Sequence, residues 1–190
     1  MADVLISDLT TGVPNGSNFI PYTTSSVTNK TLVSSITAAC QPVNYIGASV
    51  TKASMTGVAA DTITDCNFNS APLDSSGFFN SVASNSRLTV PAGLGGIYLV
   101  TGYLTVSTTN AYTKNSILIT KTSTSTSVIA RNDTSIGGNG VDVSMTASAI
   151  VSLVPTDFIK LQGYCQGFYG STPSNNLFKT PTLSMIRLGT

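Results

Sequence analysis

The sequence predicts an all-β protein folded as an antiparallel sandwich, and three observations carry that prediction. The first is composition. Ser and Thr make up more than a quarter of the 190 residues, Glu is absent, and charged residues are only 9%. Val, Ile, Thr and Tyr recur throughout, so the chain is rich in strand formers and poor in helix formers. The second is a period-two stretch. Val143, Met145, Ala147, Ala149, Val151 and Leu153 fall on one face, against Asp142, Ser144, Thr146, Ser148 and Ser152 on the other, with Ile150 the exception. A helix cannot produce that alternation. The third is Arg87–Val106, RLTVPAGLGGIYLVTGYLTV, in which two apolar runs flank a proline-glycine turn. Tyr98, Val100, Leu104 and Val106 share one strand face with Gly102. The opposite face carries Ile97, Leu99 and Tyr103 before Thr105 and Ser107. A strand apolar on both faces has to be covered twice, by its own domain and by a second sheet or another copy of the chain.

Residues 1–45 differ from the rest. Short apolar clusters, Val4-Leu5-Ile6 and Phe19-Ile20, are separated by turn chemistry at Thr11-Gly12, Pro14-Asn15-Gly16 and Pro21. Asn29 can cap a short helix beginning at Lys30 or Thr31, with Leu32, Val33, Ile36 and Cys40 at helical spacing and Pro42 closing it. Apolar clusters without a core of their own predict an arm that orders on a partner.

From Tyr45 onward strands follow one another. Ile46 to Lys52 is the first, followed by a loop at Gly57, and Thr62 to Phe68 alternates as the second. Asn69 to Ser86 reads as turn-rich around Phe78-Phe79, with core or interface the expected place for that pair. Arg87–Val90 and Gly96–Ser107 follow, then Ser116–Lys121, whose continuation through Thr122–Ser127 into Val128–Ala130 predicts a hairpin. The glycine-rich turn 137–140 starts the alternating strand, Pro155-Thr156-Asp157 turns the chain, and Phe158–Tyr164 returns. A long loop, Gln166 to Pro181, precedes a closing strand Leu183–Leu188. Eight to ten antiparallel strands in this length amount to a sandwich or jelly roll.

Charge and residue inventory narrow the function classes. A net charge of +1 argues against a nucleic-acid partner, which needs clustered Lys and Arg. Low charge also leaves little protection against self-association, which a stable oligomer would resolve. With no histidine, Ser-His-Asp triads, HExxH metalloproteases and most zinc sites are excluded. Asp61, Asp65, Asp133, Asp142 and Asp157 stand in no catalytic motif, and strand-end Asp is ordinarily turn chemistry. No enzyme activity and no cofactor are expected. Asp133 and Asp142, flanking one turn, are the first candidates for a calcium site. Cys40, Cys66 and Cys165 form no metal spacing and read as buried thiols. The first twenty residues lack signal-peptide character and no apolar run could span a bilayer, so the chain is expected to fold in the cytosol without membrane insertion.

The pattern ISDLTTG, FIPYTT, TNKTLVSSI resembles the short leader of phage tail-fibre proteins and related virion appendages, at Ile6, Leu9, Ile20, Pro21, Thr28, Lys30, Leu32 and Ile36. That resemblance implies an arm that attaches the protein to a virion, with Ile6, Leu9, Phe19, Ile20, Pro21, Leu32 and Ile36 as its anchoring residues. Residues 46–189 resemble the jelly roll shared by tumour necrosis factor and the globular head of complement component 1q. RLTVPAGLGGIYLVTGYLTV is similar to that family's Phe-x-Val-Pro and Gly-x-Tyr-x-Phe segment, SAIVSLVPTDFIKLQGY to its Leu-x-x-Gly-Asp-x-Val-x-Leu segment, and LSMIRLG closes the match. Pro155-Thr156 stands where the family has Gly before the Asp, and Leu99-Val100 where it prefers Phe. The resemblance implies a tight trimer, in which Ile97, Leu99 and Tyr103 would face a neighbouring subunit.

The expectation is therefore a phage virion structural protein, assembled in the host cytoplasm and placed on the virion surface. Residues 1–45 would anchor it to other virion proteins, and residues 46–190 would form a homotrimeric knob. Tail-fibre attachment to a host surface glycan is favoured, through a ligand loop of Phe168, Tyr169, Asn175, Asn176 and Phe178, where aromatic area and amides combine. The alternative is a capsid decoration protein, which the lack of a shaft repeat favours. A secreted lectin-like protein is the third class.

Overall fold

The computed structural model describes residues 19–24, 27–32, 45–107, 112–135, 141–167 and 176–189. The chain divides into two units, 1–44 and 45–190.

In the first unit, β1 (Phe19–Thr24) pairs antiparallel with β2 (Val27–Leu32), from Phe19 opposite Leu32 to Thr24 opposite Val27. The helix expected to start at Lys30 or Thr31 is corrected there: Asn29, Lys30, Thr31 and Leu32 are strand residues paired with Tyr22, Pro21, Ile20 and Phe19. Val27, Thr28 and Thr31 are β-branched, and cross-strand pairing outweighs the local capping signal of Asn29. Of the proposed anchoring residues, Phe19, Ile20, Pro21 and Leu32 belong to this hairpin, whereas Ile6, Leu9 and Ile36 lie outside the described residues.

The second unit is an antiparallel β-sandwich of the jelly-roll type with two six-stranded sheets. Its strands are β3 (Gly47–Thr51), β4 (Ser54–Val58), β5 (Thr64–Asp65), β6 (Ser70–Asp74), β7 (Phe79–Asn80) and β8 (Ser84–Thr89). They continue as β9 (Gly96–Ser107), β10 (Tyr112–Thr122), β11 (Thr126–Thr134), β12 (Asp142–Leu153), β13 (Phe158–Gly167) and β14 (Asn176–Gly189). One sheet runs β12-β9-β14-β3-β6 with β4 also on β14; the other runs β11-β10-β13-β8-β7 with β5 also on β13. The hairpin predicted at the serine-threonine run is the β10–β11 pair, turning at residues 123–125.

The core lies between the sheets. Tyr98, Val100, Leu104 and Val106 of β9 are fully buried with Met145, Leu153, Leu183 and Met185, opposite Ile117, Ile119, Ile159 and Leu161. Phe78, expected in core or interface, is core, edge-on to Tyr98 with ring centroids 6.2 Å apart. Two glycines let the sheets close. A Cβ on Gly102 would stand 2.5 Å from Leu161 Cδ1, and one on Gly163 would stand 2.3 Å from Phe178 Cζ. Cys66 and Cys165 are buried free thiols, and burial pushes Cys165 up to about 12 and Cys66 upward too.

Four sequence expectations shift. Gly57 belongs to strand β4 rather than a loop, because residues 54–58 pair with β14. The stretch 69–86 contains β6 and β7 as well as turns, and of Thr62–Phe68 only Thr64–Asp65 pairs as strand. The loop predicted over 166–181 is shorter, since β13 runs on to Gly167 and β14 starts at Asn176.

Candidate functional site

The outward face of the β12-β9-β14-β3 sheet is the candidate site. In a strand successive side chains alternate, so the residues between the buried Tyr98, Val100 and Gly102 must point away from the core. Cross-strand register then lays them out in rows. Ile150 of β12 stands beside Leu99 of β9, and Leu99 beside Ile186 of β14. Ile97 and Leu188 extend this apolar end; Ile150 is 69% exposed, Leu188 55%, Ile97 38% and Ile186 37%. Leu99 is half-buried by its neighbours.

The next rows are hydroxyl rows. Ser148, Thr101, Ser184 and Ser49 lie side by side, followed by Thr146, Tyr103, Thr182 and Thr51. Their hydroxyls pair across strands: Ser49 with Ser184 at 2.8 Å, Thr51 with Thr182 at 3.2 Å, Thr105 with Ser144 at 2.9 Å. The Tyr103 hydroxyl meets Thr105 at 2.8 Å and Ser144 at 3.1 Å. Its bond with Ser144, then that with Thr105, pull the phenol below its usual range. This face offers an apolar patch and a fixed polar lattice, suited to packing against a surface.

The three residues read from sequence as the interface, Ile97, Leu99 and Tyr103, share this outward face, Tyr103 in the polar rows and the other two in the apolar end. Ile150, Ile186 and Leu188 belong with them and were missed. Ile150 carried a signal, since it breaks the alternation of its strand; Ile186 and Leu188 gave none without the register.

The ligand loop is corrected in part. Phe178 is fully buried in β14, its ring filling the space above Gly163, so it cannot meet a ligand. Asn176 opens β14 opposite Val58. Phe168, Tyr169 and Asn175 lie outside the described residues. An aromatic beside asparagines reads as a binding loop, but a fully buried aromatic removes far more apolar area from water inside the core.

The carboxylates are each engaged separately. Asp133 meets Lys114 at 3.0 Å and Arg131 at 2.7 Å, while Asp142 meets Lys179 at 2.8 Å, so each carboxylate of the suggested calcium pair is engaged by cations of its own. Hydrogen bonds from Ser116 and Arg131 hold Asp133 well below the usual carboxylate range. Asp65 meets Lys160 and the Gln162 amide, and buried Asp157 meets Lys121 at 3.1 Å. Among the described residues no three His, Cys, Asp or Glu are grouped to hold a metal ion.

No family model matches the chain, and no curated protein matches it in sequence. Solved structures do match in fold. The globular domain of zebrafish complement 1qA protein superposes with a TM-score of 0.53 at 12% identity, covering 75% of this chain and 97% of that one. Eiger TNF from S. frugiperda gives 0.52 at 14% identity, covering 76% and 93%. Murine APRIL gives 0.52 at 11% identity, covering 75% and 99%. At such identities the likeness is one of fold.

Proposed function

We propose that this chain is a bacteriophage virion structural protein that works as a homotrimer, held to the particle by residues 1–45 and displaying the jelly-roll unit for host attachment. Its work is assembly and display, without catalysis. The observation that supports it most is the apolar end of the β12-β9-β14 face. Ile150, Leu188, Ile97 and Ile186 stand together on one side of a sheet whose other side is already packed. Homo-oligomers cover such patches, and a closed threefold ring covers one on every subunit. The fold likeness to complement 1qA and TNF structures agrees with that reading. The virion role rests on the leader-like residues Ile20, Pro21, Thr28, Lys30 and Leu32, which fall in the β1–β2 hairpin.

Light scattering on the purified chain tests the first half: a mass three times 19.6 kDa is expected, and a monomer would sink the trimer. Immunogold labelling of intact virions with antibody to residues 46–190 tests the second. Label at the tail tip is expected, label scattered over the head makes this a capsid decoration protein, and no label on any virion rejects both.

A further inference from the structure

A second surface, on the opposite sheet from the apolar face, has the build of a ligand pocket. Outward-facing residues of β10 form its floor, where Leu118 is almost fully buried and Ser116 beside it is inaccessible. Arg131 of β11 forms one wall, paired in register with Leu118. Tyr164 and Gln166 of β13 stand on the other side, opposite Ser116 and Lys114. Ile63 closes the rim, exposed although apolar. It is held there because its segment is stitched to β13: the Asp61 amide donates to the Cys165 carbonyl at 2.8 Å, and Thr64 pairs with Gly163. Asp61 takes a left-handed backbone angle, φ 56°, to make that turn. The resulting cavity is about 190 Å³, lined by Ile63, Lys114, Leu118, Arg131, Tyr164 and Gln166. That is below the ~300 Å³ at which pockets for drug-sized ligands begin, and suits one small ring.

The lining chemistry is specific. Both charged residues that line it, Lys114 and Arg131, are cations. Two exposed carboxylates adjoin them: Asp133 bonds the two cations, and the Tyr164 hydroxyl lies 3.5 Å from Asp61. Asp133 orients the cations through one Lys114 contact and the Arg131 Nε, and Arg131 Nη2 lies 3.4 Å from the Ser116 hydroxyl. Among the described residues the Nη1 of Arg131 has no partner. Lys114 and Arg131 are 36% and 46% exposed, so their remaining donors are open to a ligand. Tyr164, Ile63 and Leu118 give an apolar surface for a ring face, and Gln166 can both donate to and accept from hydroxyls.

We propose that this pocket binds a carboxylate-bearing sugar, a single uronic-acid residue, with the carboxylate on Lys114 and Arg131 and the ring against Tyr164 and Ile63. The forked guanidinium matches a carboxylate, and its prior bond to Asp133 fixes it in place before the ligand arrives. The site depends neither on the trimer nor on a place in the virion, so each can fail without the other.

The test is a titration of the full chain, by calorimetry or ligand-observed NMR, with methyl glucuronide, methyl glucoside and acetate as probes. Glucuronide is expected to bind saturably, about tenfold or more tighter than glucoside, since the charge-assisted bonds are lost with the carboxylate. Acetate is expected to bind at least as much more weakly, lacking the ring. Arg131→Gln should abolish the preference while the thermal transition stays in place, and Lys114→Gln serves if that variant fails to fold. Glucoside or acetate binding as well as glucuronide, unchanged binding by a folded Arg131→Gln or Lys114→Gln chain, or no binding to wild type overturns the proposal.

Discussion

At Thr156 the backbone does what its side chain resists. It sits at φ 76°, in the left-handed region, in the turn before Asp157. A β-branched residue is strained there, by about 1–2 kcal/mol, whereas glycine is not. The sequence had already set Thr156 apart, as the residue standing where the resembling family has Gly. Thr156 is exposed and its amide donates to the Val90 carbonyl at 2.9 Å, so nothing but the side chain would change on replacement. Thr156→Gly should raise stability by up to about 1 kcal/mol, the relief of strain outweighing the entropy of glycine, as read by urea unfolding. Gly163 is the opposite case. A methyl there would stand 2.3 Å from Phe178 Cζ and 2.8 Å from Leu104 Cδ2, both on fully buried side chains. Gly163→Ala should cost about 1–3 kcal/mol, seen as a lowered denaturation midpoint. An unchanged midpoint would mean that the Phe178 ring has room to move.

At the scale of the element, β9 and β14 decide most of what this protein presents. They pair along nearly their whole length, from Leu177 opposite Ser107 to Gly189 opposite Ile97, with two shifts of register. Both bury one face and expose hydroxyls and aliphatics on the other. Leu99 sits at the centre of the apolar end, between Ile150 and Ile186. Leu99→Asp puts a charge where subunits are proposed to meet, and the side chain is outward, so the sandwich itself should survive. The expected result is loss of the trimer in light scattering with the far-ultraviolet spectrum of the sheet retained. A Leu99→Asp chain that stays trimeric would place the interface elsewhere. The long alternating strands were legible because one period covered many residues: β9 occupies Gly96–Ser107 as read, and β12 begins at Asp142. The short edge pieces β4, β6 and β7 were not. In five residues or fewer, pairing with a neighbour decides between strand and turn, and the neighbour is remote in sequence.

For the molecule as a whole, acid stability follows from Asp157. Burial alone would raise its carboxyl, but the Val154 amide, the Ser123 hydroxyl and the Lys121 ammonium outweigh burial and bring it below its usual value. The folded form then binds fewer protons than the unfolded form, whose Asp titrates near ~3.9. This contribution is fully present above about pH 4 and is lost as pH falls through the folded value. Asp133 and Asp142 shift in the same direction but are exposed, so solvent screens their contributions. The melting temperature should fall on acidification below about pH 4, and Asp157→Asn should flatten that fall while lowering stability at neutral pH. An unchanged acid profile in the variant would show that Asp157 is not the group responsible.

Sequence by itself determined the class and the inner face. An excess of strand formers without Glu, and an alternation that repeats over whole strands, depend only on local geometry and on which side chains avoid water. Hence Tyr98, Val100, Leu104 and Val106 were grouped on one strand face before any pairing was known, and all four are fully buried. Tertiary structure alone decided what shares the outer faces. Ile186 joins Leu99 and Ile150, Phe178 leaves the supposed loop for the space above Gly163, and Arg131, Lys114 and Tyr164 converge on one pocket. These groupings come from register between strands far apart in the chain. A slip of one residue would turn every side chain of a strand to the other face, and no local preference fixes that choice.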